Sequence, residues 1–292
     1  MTEGQARIPT KTHRGENFPV ASRLVSARHR SAILGFYRFA RAADDIADDP
    51  TMPGPEKLER LDELEATLFG EAEAPDAVPL RAILAERKLS ARHPCDLLKA
   101  FRLDVEKRRY RDWADLMDYC AVSAAPVGRF VLDVHGEPQC SWPASDALCA
   151  ALQVINHLQD CAKDHRALDR VYLPEETLRE HGARVEDLAA PKATPGLRAA
   201  ITDLARRTDA LLETGRALPA HVENRRLRTE IVVIQRLAET LNRGLQRRDP
   251  LSERVHLGKP AMAFVAVRAA LVGYFGGRKA ARFSVHRAGA GS

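Results

Sequence analysis

Four aspartates within six residues, at the end of an otherwise apolar stretch, are the side chains of this sequence best suited to do chemistry. A helix turns by about 100° per residue, which places Tyr37, Arg41, Asp44 and Asp48 on one narrow stripe. Asp45 lies beside that stripe, within reach of an ion that the others hold. Carboxylates so close together repel one another, and a hard divalent cation with oxygen ligands is their natural partner. Taken alone, the pattern also fits a solvated acidic helix end.

A second polar stripe appears much later in the chain. Gln153, Asn156, Asp160 and Asp164 share one side of a predicted helix whose opposite side is mostly apolar. Polar side chains that are buried must find partners, and one amide and two carboxylates could supply oxygens to cations. In helical bundles, ligand and metal sites are built from side chains on facing helices. The two stripes together therefore predict one site with two acidic walls.

Two acidic walls indicate a particular class of chemistry. Mg²⁺ usually takes one or two carboxylates together with water and phosphate oxygens, so the two walls can grip a diphosphate through a small ion cluster. Arg41 would offer a planar guanidinium to the same anion. The implied reaction is loss of diphosphate from an allylic or related carbon, with an apolar cavity controlling the carbocation. Asp49 falls off the first stripe and is expected to face solvent.

The composition limits the classes of partner and compartment. Of 292 residues, 45% are hydrophobic and 29% charged, as in ordinary globular proteins. The net charge is +5, but arginines are scattered among nearly as many acids, so we expect no nucleic-acid partner. Five cysteines without a C-x-x-C pair, and no signal-peptide core, predict a cytoplasmic protein. The most apolar window, Ala261 to Phe275, is too short to span a bilayer, which leaves open contact with the inner face of the membrane.

The elements that position these residues are predicted to be helices throughout. Apolar residues recur at helical spacing, and the sequence contains no strand alternation, βαβ rhythm, Gly-rich phosphate loop or dinucleotide fingerprint. Pro126 is expected to kink or locally open a long helix that begins at Asp112. The other predicted helices cover residues 29–48, 56–69, 80–87, 93–108, 143–163, 197–218, 224–246 and 260–275.

With these motifs in order, the sequence resembles the squalene and phytoene synthase family of head-to-head isoprenoid synthases. The resemblance rests on the first aspartate motif, the segment Tyr119-Cys120, and the run from Gln153 to Pro174. It implies an all-α, single-domain helical bundle of the isoprenoid synthase type around a central cavity, with bound Mg²⁺ and a prenyl diphosphate substrate. The helical domain would cover residues 15–275, between a flexible N-terminus (1–14) and a flexible basic tail (276–292).

Two segments resemble one branch of that family. Gly15–Ser22 and Ser123–Arg129 look like the hydroxysqualene synthases of bacterial hopanoid pathways. The resemblance implies ionisation of presqualene diphosphate, rearrangement of the cyclopropylcarbinyl cation and capture of the product cation by water, without a reductant. It also makes other enzymes of the squalene and hopanoid pathway expected partners.

The resemblance assigns roles position by position. The first metal-binding motif corresponds to Asp44, Asp45 and Asp48, and the second to Asn156, Asp160 and Asp164. Catalytic positions correspond to Tyr37, Arg41 and Tyr119, and substrate-binding positions to Gln153, Arg170 and Tyr172. Asp169 stands where a glycine commonly precedes Arg170, so the closing loop is expected to differ in shape.

Two alternatives accompany this interpretation. One is a synthase that condenses two prenyl diphosphates to presqualene diphosphate, squalene or phytoene. The other, of a different class, is a non-catalytic helical partner protein with a decayed site. The intact carboxylates of both motifs argue against decay.

Overall fold

The computed structural model describes residues 26–256, and the structural statements below concern those residues. Their secondary structure is helical, apart from an isolated bridge between Arg109 and Val171, which confirms the predicted all-α class. The helices are α1 (Ala27–Asp48), α2 (Gly54–Phe69), α3 (Val78–Arg87), α4 (Arg92–Glu106), α5 (Trp113–Ser123), α6 (Ala125–His135), α7 (Trp142–Leu168), α8 (Glu175–Glu180), α9 (Pro195–Gly215) and α10 (Arg225–Arg247). Short 3₁₀ turns lie at Gln139–Ser141, Val185–Ala189 and Leu218–His221.

The long helix α7 lies at the centre of the packing. It contacts α5, α6, α9 and α10. Its apolar side, including Val154, Ile155 and Leu158, is buried in a core cluster that also contains residues of α9 and α10. A second apolar cluster contains residues of α1, α2, α3, α4 and α6. In this cluster the rings of Phe36 and Phe130 stack with centroids 4.2 Å apart. Each acidic helix is therefore anchored by its own apolar face.

The chain between Asp112 and His135 is interrupted near Pro126, as expected, but the interruption ends one helix and begins another. The chain forms two helices, α5 and α6, which separate at Ala124, where φ is −120° and ψ is −47°. Pro126 lies in the first turn of α6, where its missing N–H removes no intrahelical hydrogen bond. The proline therefore begins a new helix rather than bending a continuous one.

Several expectations concern segments outside the described residues. These are the N-terminus (1–14), the segment Gly15–Ser22, the apolar helix over 260–275 and the basic tail (276–292). The predicted domain 15–275 is described over its central part. Among the described helices, none is both long enough and apolar enough to cross a membrane.

Candidate active site

A polar cavity of about 390 Å³ lies between α1, α4, α5 and α7. The C-terminal part of α1 and the C-terminal half of α7 each contribute acids to its wall. The polar lining side chains are Arg41, Asp44, Asp48, Asp104, Tyr119, Ser123, Gln153, Asn156, His157, Asp160, Lys163, Asp164, Arg170 and Tyr172. The two acidic stripes of the sequence thus meet at one cavity.

Arginines brace the acids of α1. Arg41 donates from Nη1 to Asp44 Oδ2 at 2.5 Å and from Nη2 to Asp45 Oδ1 at 2.9 Å. Arg170, which is 6% exposed, donates from Nη1 to Asp48 Oδ1 at 2.6 Å. Its Nε also donates to the backbone carbonyl of Asp104 at 3.0 Å. Arg170 therefore ties the segment after α7 to both α1 and α4.

Three other residues of the first acidic stretch, Tyr37, Asp45 and Asp49, do not line the polar cavity. Tyr37 lines a neighbouring apolar cavity. Asp45 lies beside the polar cavity, with its side chain 35% exposed and paired with Arg41. The expectation that Asp49 faces solvent is wrong: it is 8% exposed, and its carboxylate accepts hydrogen bonds from the backbone N–H and the hydroxyl of Thr51. Asp49 holds the turn that ends α1.

Burial and mutual repulsion raise the pKa of one acid in each wall of the polar cavity. Burial, followed by the neighbouring charge of Asp48, raises the pKa of Asp44 to about 7, although Arg41 opposes the shift. Burial, followed by the charge of Asp160, raises the pKa of Asp164 to about 7. Both carboxylates are thus poised to gain from a cation placed in the cavity.

Asp104 is a site residue that the motifs do not indicate. Its Oδ2 accepts a hydrogen bond from the hydroxyl of Tyr119 at 2.9 Å, and its Oδ1 accepts one from Tyr172 at 3.0 Å. Burial raises the pKa of Asp104 to about 6, while Arg170 opposes the shift. A sequence signal exists, because Asp104 follows Phe101 by three positions on the apolar side of α4. Two predicted site tyrosines are therefore fixed by one buried carboxylate.

His157 closes the same cluster from α7. Its ring stacks on Tyr172 with centroids 3.6 Å apart. Burial lowers the pKa of His157 to about 3, so the imidazole is neutral at physiological pH. The lining of the polar cavity therefore includes neutral aromatic rings beside its charged side chains.

The closing loop is shaped by Asp169 in the left-handed region, at φ 51° and ψ 31°. Aspartate tolerates this conformation better than most non-glycine residues. Its carboxylate also accepts from Arg109 Nη2 at 2.6 Å, and the backbone N–H of Val171 donates to the carbonyl of Arg108 at 2.9 Å. The basic segment after α4 thus holds the loop that carries Arg170.

An apolar cavity of about 300 Å³ continues the site along the same helices. Tyr37 and Ala40 of α1 line it, and so do Ser145, Leu148 and Leu152 of α7. The other lining residues are Ile33, Phe36, Val127, Gly128, Phe130, Val131, Leu132, Cys149, Leu218, Leu227, Glu230, Ile231 and Ile234. Along both α1 and α7, the chain runs from the apolar cavity to the polar one.

The donor set of the polar cavity fits Mg²⁺. Asp44 and Asp48 of α1 face the cavity opposite Asn156, Asp160 and Asp164 of α7, and these are hard oxygen donors. Burial and neighbouring like charge raise the pKa values of Asp44 and Asp164, one acid in each wall. Within residues 26–256, no three or more His, Cys, Asp or Glu side chains converge so as to hold an ion by themselves.

Comparison with known proteins gives consistent matches. The family model for squalene/phytoene synthase matches residues 11–261. A hydroxysqualene synthase of Rhodopseudomonas palustris is 55% identical over 91% of this chain and 91% of its own. One of Sinorhizobium fredii is 50% identical over 92% of this chain and 96% of its own. The crystal structure of a squalene synthase from Alicyclobacillus acidocaldarius superposes with a TM-score of 0.71 at 35% identity, covering 81% of this chain and 90% of that one. These matches confirm the resemblance drawn from the motifs.

Proposed function

The chain belongs to the squalene/phytoene synthase family, and from this premise we propose that it is a hydroxysqualene synthase of hopanoid biosynthesis. Its substrate is presqualene diphosphate, which it ionises and rearranges before water captures the product cation. The names of the relatives at 55% and 50% identity support this activity over condensation of two prenyl diphosphates.

The observation that carries the proposal is the order of the two cavities along α1 and α7. From Tyr37 to Asp44 the helix rises by about 10 Å, which takes its lining face from apolar to acidic surroundings. On α7 the same change occurs between Leu152 and Asn156. A molecule with a diphosphate head and a branched hydrocarbon body matches this sequence of environments.

The polar cavity holds the leaving group. Asp44 and Asp48 on one wall, and Asn156, Asp160 and Asp164 on the other, would hold Mg²⁺. When bound, Mg²⁺ supplies stabilisation of the negative charge that develops on the departing diphosphate. Arg41, Arg170 and Lys163 add fixed positive charge to the same cavity.

The aromatic residues complete the polar cavity on the side of the reacting carbon. Asp104 fixes the hydroxyls of Tyr119 and Tyr172, which orients their rings. Electron-rich ring faces stabilise a nearby cation. The apolar cavity then receives the hydrocarbon and excludes bulk water, so that the cation rearranges before it is quenched.

The substrate and product also suggest where the enzyme works. Both carry long hydrocarbon chains, and the mildly basic protein suits an anionic surface. We therefore expect the protein to exchange its substrate and product with other enzymes of the squalene and hopanoid pathway at the inner face of the membrane. Flotation with anionic vesicles tests this, and absence of binding at low salt would refute it.

Incubation of the purified protein with presqualene diphosphate and Mg²⁺, without NADPH, tests the activity. We expect release of hydroxysqualene and diphosphate, and loss of both after removal of the metal with EDTA. The variants Asp44→Asn and Asp160→Asn should lose activity because each weakens one acidic wall. Their matched control is Glu59→Gln, which changes an exposed acid of α2.

The alternatives predict different results in the same assay. Turnover of farnesyl diphosphate, with none of presqualene diphosphate, would indicate a condensing synthase. Unchanged hopanoid output in cells that carry only the Asp44→Asn or the Asp160→Asn form would indicate a non-catalytic partner protein.

A further inference from the structure

One acidic side chain in the apolar cavity has no part in the metal site. Glu230 lies on α10 and is 4% exposed. Leu227, Ile231 and Ile234 of the same helix line the same cavity. Glu230, Ile231 and Ile234 follow Leu227 by three, four and seven residues, so the four side chains share one helix face. An aliphatic residue would be expected at the position of Glu230 on such an apolar face. Among the described lining residues of this cavity, Glu230 is the one with a carboxyl group.

The location separates Glu230 from the acids that face the diphosphate. Those acids lie on α1, α4 and α7 around the polar cavity. Glu230 reaches the apolar cavity from α10, opposite the N-terminal halves of α1 and α7. It is therefore placed where the hydrocarbon part of the substrate would lie, and not where the leaving group would lie.

The carboxylate of Glu230 could serve the reaction in two ways. A carbocation in the hydrocarbon would be stabilised by the negative charge, and a water molecule could be held by the carboxylate oxygens. The hydroxyls of Tyr37 and Ser145 belong to residues of the same lining and offer further hydrogen bonds to that water.

We propose that Glu230 holds the water molecule that captures the rearranged cation, and accepts its proton. This inference rests on the proposed function, because it assigns the residue that determines whether the product is an alcohol or a hydrocarbon. The water oxygen donates an electron pair to the cationic carbon and forms the new C–O bond. One O–H bond of the water breaks, and its proton passes to the Glu230 carboxylate. The products are a neutral alcohol and a protonated carboxyl group, so no oxidant or reductant is needed.

The test is the product distribution of Glu230→Gln with presqualene diphosphate and Mg²⁺. Glutamine keeps the size of the side chain but is no base. The readout is the ratio of products formed per diphosphate released, which does not depend on the rate of ionisation. The ratio of hydroxysqualene to hydrocarbon elimination products should fall by about a hundredfold, the lower end of general acid–base effects.

The matched control is Glu239→Gln on the same helix. Glu239 is also buried, at 5% exposure, but it does not line the cavity. It pairs with Arg216 at 2.8 Å and with Arg236 at 2.9 Å. This variant should keep the wild-type product ratio even if its stability falls. Glu230→Asp, which keeps the carboxylate but shortens it, should retain part of the alcohol, and it serves as the test if Glu230→Gln does not fold.

The outcomes separate this inference from the proposed function. If wild type forms hydroxysqualene and Glu230→Gln keeps the same product ratio, the role of Glu230 is refuted and the activity stands. Where the glutamine variant is insoluble, an unchanged ratio in Glu230→Asp refutes the role of Glu230 in the same way. If wild type forms no hydroxysqualene from presqualene diphosphate, the proposed function fails and the inference fails with it.

Discussion

The acids of the two walls destabilise the protein when no cation is bound, and Asp44→Asn should reveal this. Burial and the charge of Asp48 raise the pKa of Asp44 to about 7 in the folded chain, compared with 3.8 for an ordinary aspartate. The folded state therefore favours the protonated form. The stability that protonated Asp44 contributes to the folded state is fully present below about pH 4 and is lost as the pH rises through about 7. Asparagine removes the titration and keeps the shape.

The size of the effect follows from the linkage. With a folded pKa near 7, the free energy of unfolding of wild type should fall by about 2 kcal/mol between about pH 5.5 and pH 8.5. The asparagine variant lacks this titration and should not show that fall. The Asp44 side chain is 32% exposed, so solvent screening reduces the figure, and we expect a relative change of about 1–2 kcal/mol. The attraction of Arg41 is already contained in the folded pKa of Asp44, so it adds no further difference between the two pH values.

The assay is urea unfolding in EDTA at the two pH values, for wild type, Asp44→Asn and the control Glu59→Gln. The free energy of unfolding of wild type should fall relative to Asp44→Asn at the higher pH, whereas Glu59→Gln should follow wild type. Inorganic diphosphate with Mg²⁺ should then stabilise wild type more than Asp44→Asn, because ligands that bind the folded state raise its stability.

Two results would refute this reasoning. A wild-type stability that rises with pH relative to Asp44→Asn would mean that the carboxylate is stabilised by its surroundings rather than repelled. An equal difference at both pH values would mean that Asp44 does not titrate in this range.

Three further substitutions test the geometry. Asp104→Ala leaves the hydroxyls of two buried tyrosines without their acceptor. It should lower the free energy of unfolding in urea by about 2–4 kcal/mol and should also lower kcat. An unchanged kcat would show that the orientation of the tyrosines is immaterial. Gly128→Ala would bring the new Cβ to 2.5 Å from Ser145 Oγ, so we expect a loss of about 1–3 kcal/mol and weaker substrate binding, and unchanged thermal unfolding would contradict this packing. Arg170→Lys replaces a fork that donates to Asp48 and to two backbone carbonyls; we expect slower diphosphate release in single-turnover assays, and a wild-type rate would refute its bracing role.

The sequence predicted the helical class and the two acidic stripes well, because both follow from residue spacing on one element. Asp44 and Asp48, or Asp160 and Asp164, are separated by one turn, and their common direction is a local property. The same reasoning failed at Asp49, since its partner is the turn at Thr51 rather than the helix face. It indicated an interruption near Pro126, but not that α5 and α6 are separate helices.

Contacts between distant elements were the part that spacing could not supply. Asp104 bonds with Tyr119 and Tyr172, which lie 15 and 68 residues away in the chain. Tyr37 shares a stripe with Arg41 and Asp44 but lines a different cavity, because one helix passes both. Pairings of this kind depend on how the helices pack, and a single sequence without its fold does not specify them.

The succession of two cavities along shared helices has an evolutionary consequence. In the proposed mechanism, residues that act on the leaving group and residues that act on the cation follow one another along α1 and α7 but line different cavities. Substitutions in the first halves of α1 and α7, or on α10, can therefore change the product and leave the ionising machinery intact. Such an arrangement lets one scaffold diversify its products by small steps, each of which still yields a working enzyme.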